Sequence, residues 1–228
     1  MRDTMSGNYT TGISGLDVLL GELEPGSVMI LTGPPKVGKS VLAMEFMYRG
    51  LQNQTPCLFI AAEYGYSDLQ RNAMTFNWFL QSFSDDLHVI DLPTRLAGGR
   101  PQDSGNIRYS ALQNTTDIMV KVGIATRTLF QQSGIFTSVL DSASILLAFN
   151  PPKLVIRALK AYSNRITEAS GIALVTYTEG VADPALEEEI KELFDIHLHM
   201  DGSTLSVAGA DGVNEAPYRI TDQGMFIG

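Results

Sequence analysis

Apolar runs of strand length alternate along the chain with amphipathic stretches of helix length. This alternation is typical of a mainly parallel sheet covered by helices, because parallel strands are buried on both faces. The runs that predict strands are 27–32, 57–62, 87–91, 135–140 and 171–176. The stretches that predict helices are 39–51, 67–83, 109–132, 152–170 and 184–194. The pattern predicts an α/β fold.

Two further regions complete the pattern. Residues 93–106 are rich in Gly, Pro, Arg and Asp, which predicts a mobile loop. The chain after residue 194 predicts short antiparallel strands. No internal repeat or low-complexity tail interrupts the 228 residues. We therefore expect a single domain over 1–228, a length that suits one large α/β domain.

Composition and charge narrow the function classes. Hydrophobic residues make up 44% of the chain. The net charge is -9, and this negative charge argues against broad binding to nucleic acid. The single Cys57 lies in an apolar run, so a buried strand residue is expected and no disulfide can form within the chain. The first residues have no apolar segment typical of a signal peptide. We expect a soluble, cytoplasmic protein without membrane insertion.

One motif carries the strongest chemical prediction. The segment 33–40 fits G-x-x-x-x-G-K-[ST] and lies between a buried strand and a helix. The backbone N–H groups of such a loop surround a polyphosphate at a helix N-terminus. We predict ATP as the ligand, with Lys39 reaching the β- and γ-phosphates. The residues expected to line the site are Gly33, Pro34, Pro35, Lys36, Val37, Gly38, Lys39, Ser40 and Val41.

Two carboxylates are placed to assist this loop. Asp141 ends the apolar run 135–140, and we predict that it holds Mg²⁺ together with the Ser40 hydroxyl. An acidic helix cap is the alternative, and both roles can coexist. Glu63 follows the run 57–62, where it could act as the base for the attacking water. The alternative for Glu63 is a solvated loop carboxylate.

Together these residues resemble the KaiC-like branch of the RecA superfamily. The resemblance is carried by the lead-in to the glycine loop, the two strands that end in carboxylates, a later strand and a terminal hairpin, at 11–21, 59–63, 139–142, 175–179 and 218–224. It implies a RecA-like core with a central, mainly parallel sheet and a C-terminal antiparallel hairpin. It also implies a catalytic role for Glu63 and a γ-phosphate-sensing role for the strand that leads to Thr178.

Three departures limit what the resemblance implies. Tyr64 follows Glu63, where family members often have a second acidic residue. The hairpin region 205–212 contains no Lys or Arg, although active hexamers of this family extend such cations into the neighbouring subunit's nucleotide. Residues 191–194 lack the Ser-Thr pair of the autophosphorylating members. We therefore expect slow or absent ATP hydrolysis and no autokinase activity.

Three other groups of polar residues each allow two interpretations. Lys36 either lies near the γ-phosphate or faces solvent, and the solvent-facing interpretation is favoured. Asp195, His197 and His199 share one strand face, which suits a metal site or, more often, the polar face of an edge strand. The basic residues of one helix contact nucleic acid or form a solvated face. They are Lys153, Arg157, Lys160 and Arg165.

The leading hypothesis is an ATP-binding, KaiC-like regulator whose nucleotide state, ATP or ADP, controls contacts with a protein partner or a homo-oligomer. A recombinase acting on single-stranded DNA is the alternative, and an assembly platform without turnover is a third. The region 179–189 is acidic and would repel a DNA backbone. Nucleic acid is therefore not the expected partner.

Overall fold

A computed structural model describes residues 9–96, 98, 101–209 and 212–228. Its helices are α1 (Ser14–Leu20), α2 (Lys39–Gln52), α3 (Tyr66–Met74), α4 (Pro93–Leu96), α5 (Thr115–Ser133), α6 (Ala143–Phe149), α7 (Pro152–Glu168) and α8 (Pro184–Lys191), with a short 3-10 helix at Leu80–Phe83. Its strands are β1 (Val28–Thr32), β2 (Cys57–Ala61), β3 (Leu87–Asp91), β4 (Ile107–Tyr109), β5 (Thr137–Asp141), β6 (Ile172–Thr176), β7 (Ile196–Met200), β8 (Thr204–Gly209), β9 (Gly212–Thr221) and β10 (Gly224–Ile227).

The strands form one sheet in the order β10-β9-β8-β7-β1-β6-β5-β2-β3-β4. The seven strands from β7 to β4 are parallel, whereas β8, β9 and β10 pair antiparallel. The predicted α/β fold with a mainly parallel sheet and a C-terminal antiparallel hairpin is therefore confirmed. All parallel strands end at the same edge of the sheet, which gathers the residues that follow them.

The central strands are buried on both faces and separate two hydrophobic cores. Side chains alternate between the faces of a strand. In β1, Met29 and Leu31 therefore pack in the core that contains α2, whereas Val28 and Ile30 pack in the core that contains α5 and α7. This two-sided burial explains why the strand sequences are almost continuously apolar. Cys57 lies buried at the start of β2, as predicted.

A buried carboxylate joins the helix after the glycine loop to the terminal hairpin. Glu45 of α2 is only 2% exposed and accepts hydrogen bonds from the Met225 backbone N–H at 2.6 Å and Arg49 Nη2 at 2.9 Å. A Cβ on Gly224 would lie 2.5 Å from Glu45 Oε2, so only glycine fits there. Burial raises the pKa of Glu45. The hairpin is thereby fixed against α2.

The predicted helix 67–83 is wrong in its second half. Helix α3 ends at Met74, and the next helical turn begins only at Leu80. Asn77 adopts a left-handed backbone conformation with φ 60°, which stops the helix. The turn brings Trp78 to stack on Phe76 and Tyr48, with ring centroids 4.7 and 5.3 Å apart. In this segment the packing of the aromatic rings determines the backbone conformation more than the helical spacing of apolar residues does.

The predicted helix 109–132 begins six residues too early. Tyr109 ends β4, a short parallel strand at the edge of the sheet. The helix starts after Asn114, whose side-chain oxygen accepts a hydrogen bond from the Asp117 N–H at 3.0 Å. The N-cap preference of Asn explains this boundary. Of the predicted loop 93–106, residues 93–96 form α4 and residues 97, 99 and 100 lie outside the described residues.

The prediction of antiparallel strands after residue 194 is wrong for β7. This strand runs parallel to β1 on one side and antiparallel to β8 on the other, so it is not an edge strand. The preceding helix α8 ends at Lys191, three residues before the predicted boundary, because buried Phe194 leads the chain into the sheet. Helices α1 and α6 were not predicted, since each has only seven residues.

Candidate functional site

The glycine loop lies between β1 and α2 and is packed against two other strands. Gly33 has φ 144°, and a Cβ there would lie 2.1 Å from the Met200 carbonyl oxygen. Gly38 has φ 102°, and its Cβ would lie 2.8 Å from Ile220 Cδ1. The Tyr218 hydroxyl donates to the Val37 carbonyl at 2.7 Å. Both motif glycines are therefore required by backbone geometry and by close approach.

Lys39 occupies the centre of this loop. Its ammonium donates hydrogen bonds to the carbonyl oxygens of Gly33 at 2.9 Å and Pro34 at 2.6 Å, and the residue is only 7% exposed. Burial lowers the pKa of Lys39, although the negative charges of Asp141, Glu179 and Glu63 act in the opposite direction. The cation is thus held in place by neutral carbonyl groups, with carboxylates nearby.

A chain of hydroxyl and carboxylate oxygens lies beside Lys39. Ser40 Oγ donates to Asp141 Oδ1 at 3.2 Å, and Thr176 Oγ1 donates to the same oxygen at 2.5 Å. Asp141 is 5% exposed. Burial raises the pKa of Asp141 to about 6, against the hydrogen bonds from Thr176 and Ser40. The structure thus brings together Ser40 and Asp141, the predicted metal ligands.

These residues fit a magnesium-bound nucleotide chemically. A hydroxyl and a carboxylate are the oxygen donors that Mg²⁺ prefers. Helix α2 has 14 residues and begins at Lys39, so its N-terminal N–H groups face the loop that precedes it. The left-handed glycines and the helix N-terminus together form the kind of backbone cradle that binds phosphate.

Glu63 is in a different environment from Asp141. Its backbone N–H donates to the Asp141 carbonyl at 3.2 Å, which aligns the end of β2 with β5. Its side chain is exposed, and its charge is the first cause of the raised pKa of the adjacent Tyr64. The structure therefore brings Glu63 to the same edge as Asp141 but leaves its carboxylate at the surface.

The remaining predicted residues occupy three kinds of position. Pro34, Pro35 and Lys36 are exposed at the loop tip, and Lys36 has φ 67°. Val37 and Val41 are half-buried and pack against the core below the loop. Thr178 is half-buried, and its backbone N–H donates to Ser144 Oγ at 2.7 Å. This bond ties the turn after β6 to α6 rather than to Ser40 or Asp141.

Sequence reasoning missed several residues that contact the site. The sequence predicts Thr176 at the end of a strand and within the γ-phosphate-sensing segment 175–179, but it does not predict the hydrogen bond from Thr176 to Asp141. The backbone N–H of Glu179 donates to the Gly33 carbonyl at 3.1 Å. His199 Nδ1 lies 3.1 Å from Thr32 Oγ1 and 3.5 Å from Glu179 Oε1. These residues extend the site toward β7.

The proposed alternative of a metal site on β7 is not supported. His197 Nε2 lies 2.7 Å from the Phe194 carbonyl oxygen, while His199 faces Thr32 and Glu179. Within the part of the chain that the structure describes, no three His, Cys, Asp or Glu side chains are grouped to hold a metal ion. His197 therefore bonds to the segment that precedes β7, whereas His199 lies beside Thr32 at the carboxyl end of β1.

The architecture defines the class of protein. A mainly parallel sheet, a glycine loop between β1 and α2, and β6 inserted between the loop strand and the Asp141 strand make a RecA-like P-loop fold. A family model described as "ATPase: KaiC" matches residues 9–194. The chain therefore belongs to the KaiC ATPase family.

The chain is similar to proteins of different lengths. It is 29% identical over 170 residues to the circadian clock oscillator protein KaiC of Parathermosynechococcus lividus, covering 73% of this chain and 29% of that protein. It is 24% identical over 234 residues to a UPF0273 protein of Thermotoga maritima, covering 95% and 94% of the two chains. The chain thus spans less than a third of the clock protein but nearly all of the Thermotoga protein.

A solved structure supports the same fold. The KaiC-like protein of Pyrococcus horikoshii superposes with a TM-score of 0.70 at 17% identity, covering 98% of this chain and 99% of that chain. At this identity the likeness concerns the fold alone. Among the described residues, no helix has the length and apolar character needed to cross a membrane.

Proposed function

We propose that the chain binds ATP with Mg²⁺ at the glycine loop and acts as a regulator with slow or absent hydrolysis. The observation that carries the proposal is the buried Lys39 ammonium beside the Ser40–Asp141–Thr176 oxygen chain. The carbonyl oxygens of Gly33 and Pro34 are the partners that phosphate oxygens would replace. When bound, Mg²⁺ would neutralise charge on the phosphates.

Slow turnover follows from what surrounds Glu63. A general base contributes most when it is held in a fixed geometry, and the Glu63 side chain is exposed. No Lys or Arg occurs in the hairpin sequence 205–212, where the family's cross-subunit cations are expected. A cation of this kind contributes ~10³–10⁵ in rate by analogy with arginine fingers. Its loss leaves nucleotide holding as the stronger role.

Control of a partner contact is supported by the connection from the site to α6. Ser142, the N-cap residue of α6, separates Asp141 from this helix. In the first turn, Ser144 Oγ accepts a hydrogen bond from the Thr178 N–H and lies 3.4 Å from the Thr178 carbonyl oxygen. A shift of the turn after β6 toward a γ-phosphate would therefore act on α6. A two-state element of this kind is required for a nucleotide switch.

The test combines assembly and turnover in one sample. Size-exclusion chromatography with light scattering is run with no nucleotide, with ADP–Mg²⁺ and with ATP–Mg²⁺, and phosphate release is measured on the same fractions. We expect a nucleotide-dependent molar mass and a rate below about 0.1 s⁻¹, under the usual range for enzymes. A fast ATPase whose rate rises with protein concentration would contradict the regulator, and an unchanged molar mass would leave only nucleotide holding.

A further inference from the structure

One cavity of the described residues lies away from the glycine loop. It is a groove of about 690 Å³ between α5 and α7, on the outer face of these helices. Its floor includes Met119, Val120, Ile124 and Leu154, and three of these apolar side chains are substantially exposed. The exposed fractions are 56% for Val120, 57% for Ile124 and 37% for Leu154. Several adjacent apolar side chains in a groove mark an interaction site more often than a scattered few do.

The groove is positively charged although the protein is acidic. Arg127, Arg157 and Arg165 line it, and its lining contains no Asp or Glu. Among the residues that the structure describes, none of the ion pairs includes any of the three arginines. A chain with net charge -9 thus concentrates three cations beside exposed apolar side chains. The chemical complement is a ligand that presents both carboxylates and apolar groups.

A glycine inside α5 lies in the lining of the groove. A Cβ built at Gly123 would lie 3.8 Å from Arg165 Nη2, so the guanidinium of α7 reaches the surface of α5. Glycine within a helix lowers its stability by about 0.5–1 kcal/mol relative to Ala. A Cβ at this distance would make only an ordinary contact, so Gly123 marks where α7 approaches the middle of a 19-residue helix.

We propose that this groove binds an acidic, amphipathic helix of a partner protein. The lining residues on α5 extend from Thr115 to Thr128, which is roughly 20 Å along the helix axis. A helix of about 14 residues has the same length, and docking through its apolar face with carboxylates at the rim is a common recognition mode. The inference goes beyond the proposed function, because docking requires no nucleotide.

The other occupants fit the groove less well. In a second copy of this chain, α8 is the acidic helix, but its Ile190 is buried and its Leu186 packs in the core. That helix therefore has no apolar face to offer. Single-stranded nucleic acid is usually bound through aromatic stacking platforms, and no aromatic residue lines the groove.

The experiment measures peptide binding to the full chain without nucleotide, so that failure of ATP binding cannot affect it. Three fluorescein-labelled 16-residue peptides are compared by anisotropy at physiological salt: an acidic Leu/Glu amphipathic helix, its scrambled version, and the Leu/Lys helix of reversed charge. We expect the first to bind at least about tenfold more tightly than the other two. Equal binding of the scrambled peptide, or no binding of the acidic helix, would overturn the inference.

Substitutions in the groove locate the binding surface. Ile124→Glu and Arg157→Glu should each weaken the acidic peptide about tenfold. Lys160→Glu is the matched control, because Lys160 is exposed on the same helix outside the groove lining and should change affinity less than twofold. Circular dichroism melts confirm that each variant is folded, and Arg157→Lys keeps the charge if Arg157→Glu fails to fold.

Two results would assign the groove to another occupant. The first is tight, salt-sensitive binding of a single-stranded oligonucleotide that competes with the acidic peptide and is lost in Arg157→Glu. The second is self-association, measured by light scattering, that is abolished by Arg157→Glu and kept in Lys160→Glu. Either result overturns the proposed partner chemistry.

Discussion

Asp141 and Glu63 stand at the carboxyl ends of neighbouring strands, yet their surroundings are opposite. Asp141 is buried and accepts hydrogen bonds from Ser40 and Thr176, whereas the Glu63 side chain is exposed. The first environment fixes the predicted metal ligand in one geometry, although burial there removes water from its charge. The second environment does not hold the predicted base in a fixed geometry. The comparison teaches that the half of the site that would hold nucleotide is preorganised and the half that would hydrolyse it is not.

The largest expected effect comes from Lys39 in the preorganised half. Lys39→Ala should weaken ATP binding by about a hundredfold or more, because charge-assisted hydrogen bonds to phosphate contribute about 1.5–3 kcal/mol each. The fold should be retained, since the Lys39 ammonium contacts only loop carbonyls. Isothermal calorimetry measures the affinity, and a circular dichroism melt checks the fold. Wild-type affinity in this variant would refute the assignment of the loop.

The next effect concerns turnover in the exposed half. Glu63→Gln should lower phosphate release at least about tenfold, to the background of a protein-free control, while ATP affinity stays within twofold. A wild-type rate that is already low makes long incubations necessary. Glu192→Gln, which changes an exposed carboxylate beyond α8, is a suitable control. Unchanged phosphate release in Glu63→Gln would mean that another group activates the water.

Asp141→Asn tests two properties of Asp141: its predicted role as a metal ligand and the cost of burying its charge. Mg²⁺ should increase the ATP affinity of the variant about tenfold less than it increases that of the wild type. Burial raises the pKa of Asp141 to about 6, above the ordinary value of 3.8. Folding therefore favours the protonated carboxyl group. The contribution of this group to the free energy of unfolding is fully present below pH 3.8 and is lost as pH rises through 6.

The same substitution should also change the stability of the fold. In EDTA at pH 7.5, Asp141→Asn should raise the free energy of unfolding by on the order of 2 kcal/mol, and the gain should be largely absent near pH 4. Urea denaturation at the two pH values measures it. A variant that is less stable than wild type at pH 7.5 would show that ionised Asp141 stabilises the fold.

The smallest effect is expected at the loop tip. Lys36 is exposed with a left-handed backbone, so Lys36→Ala should change ATP affinity and phosphate release by less than about threefold. Lys36→Gly keeps the backbone freedom and separates charge from conformation. A tenfold loss of turnover in both variants would give Lys36 the role of the missing hairpin cation and weaken the contrast between the two halves.

The sequence predicted the glycine loop and the carboxyl-edge residues because both are local patterns. The motif 33–40 is recognisable from eight consecutive residues, and Asp141 follows a largely apolar run of strand length. The hydrogen bond from Thr176 to Asp141 was not predicted, because it depends on β6 lying beside β5, which is a pairing between distant segments. The direction of β7 was wrong for the same reason, since its polar His197 and His199 suggested an edge strand.

Helix boundaries and the groove show two further limits of sequence reasoning. The start of α5 could have been placed at Asn114, because Asn114 and Asp117 form a recognisable N-terminal pattern. The groove between α5 and α7 could not have been predicted from the sequence, because the basic residues of α7 gain an apolar neighbour only when the two helices pack side by side. Arg157 and Arg165 are exposed, as the predicted solvated face requires, and they also line the groove together with Ile124.

The bond between Glu45 and Met225 has a consequence for how the chain is made. The helix that follows the glycine loop is synthesised early, but the backbone N–H that its buried carboxylate accepts is 180 residues later in the sequence. At about 5–20 residues per second, a ribosome needs roughly 10–40 s to add that length. During this interval the hydrogen bond from the Met225 N–H to Glu45 cannot form. The glycine loop and its helix therefore reach their final packing only after translation has passed the terminal hairpin.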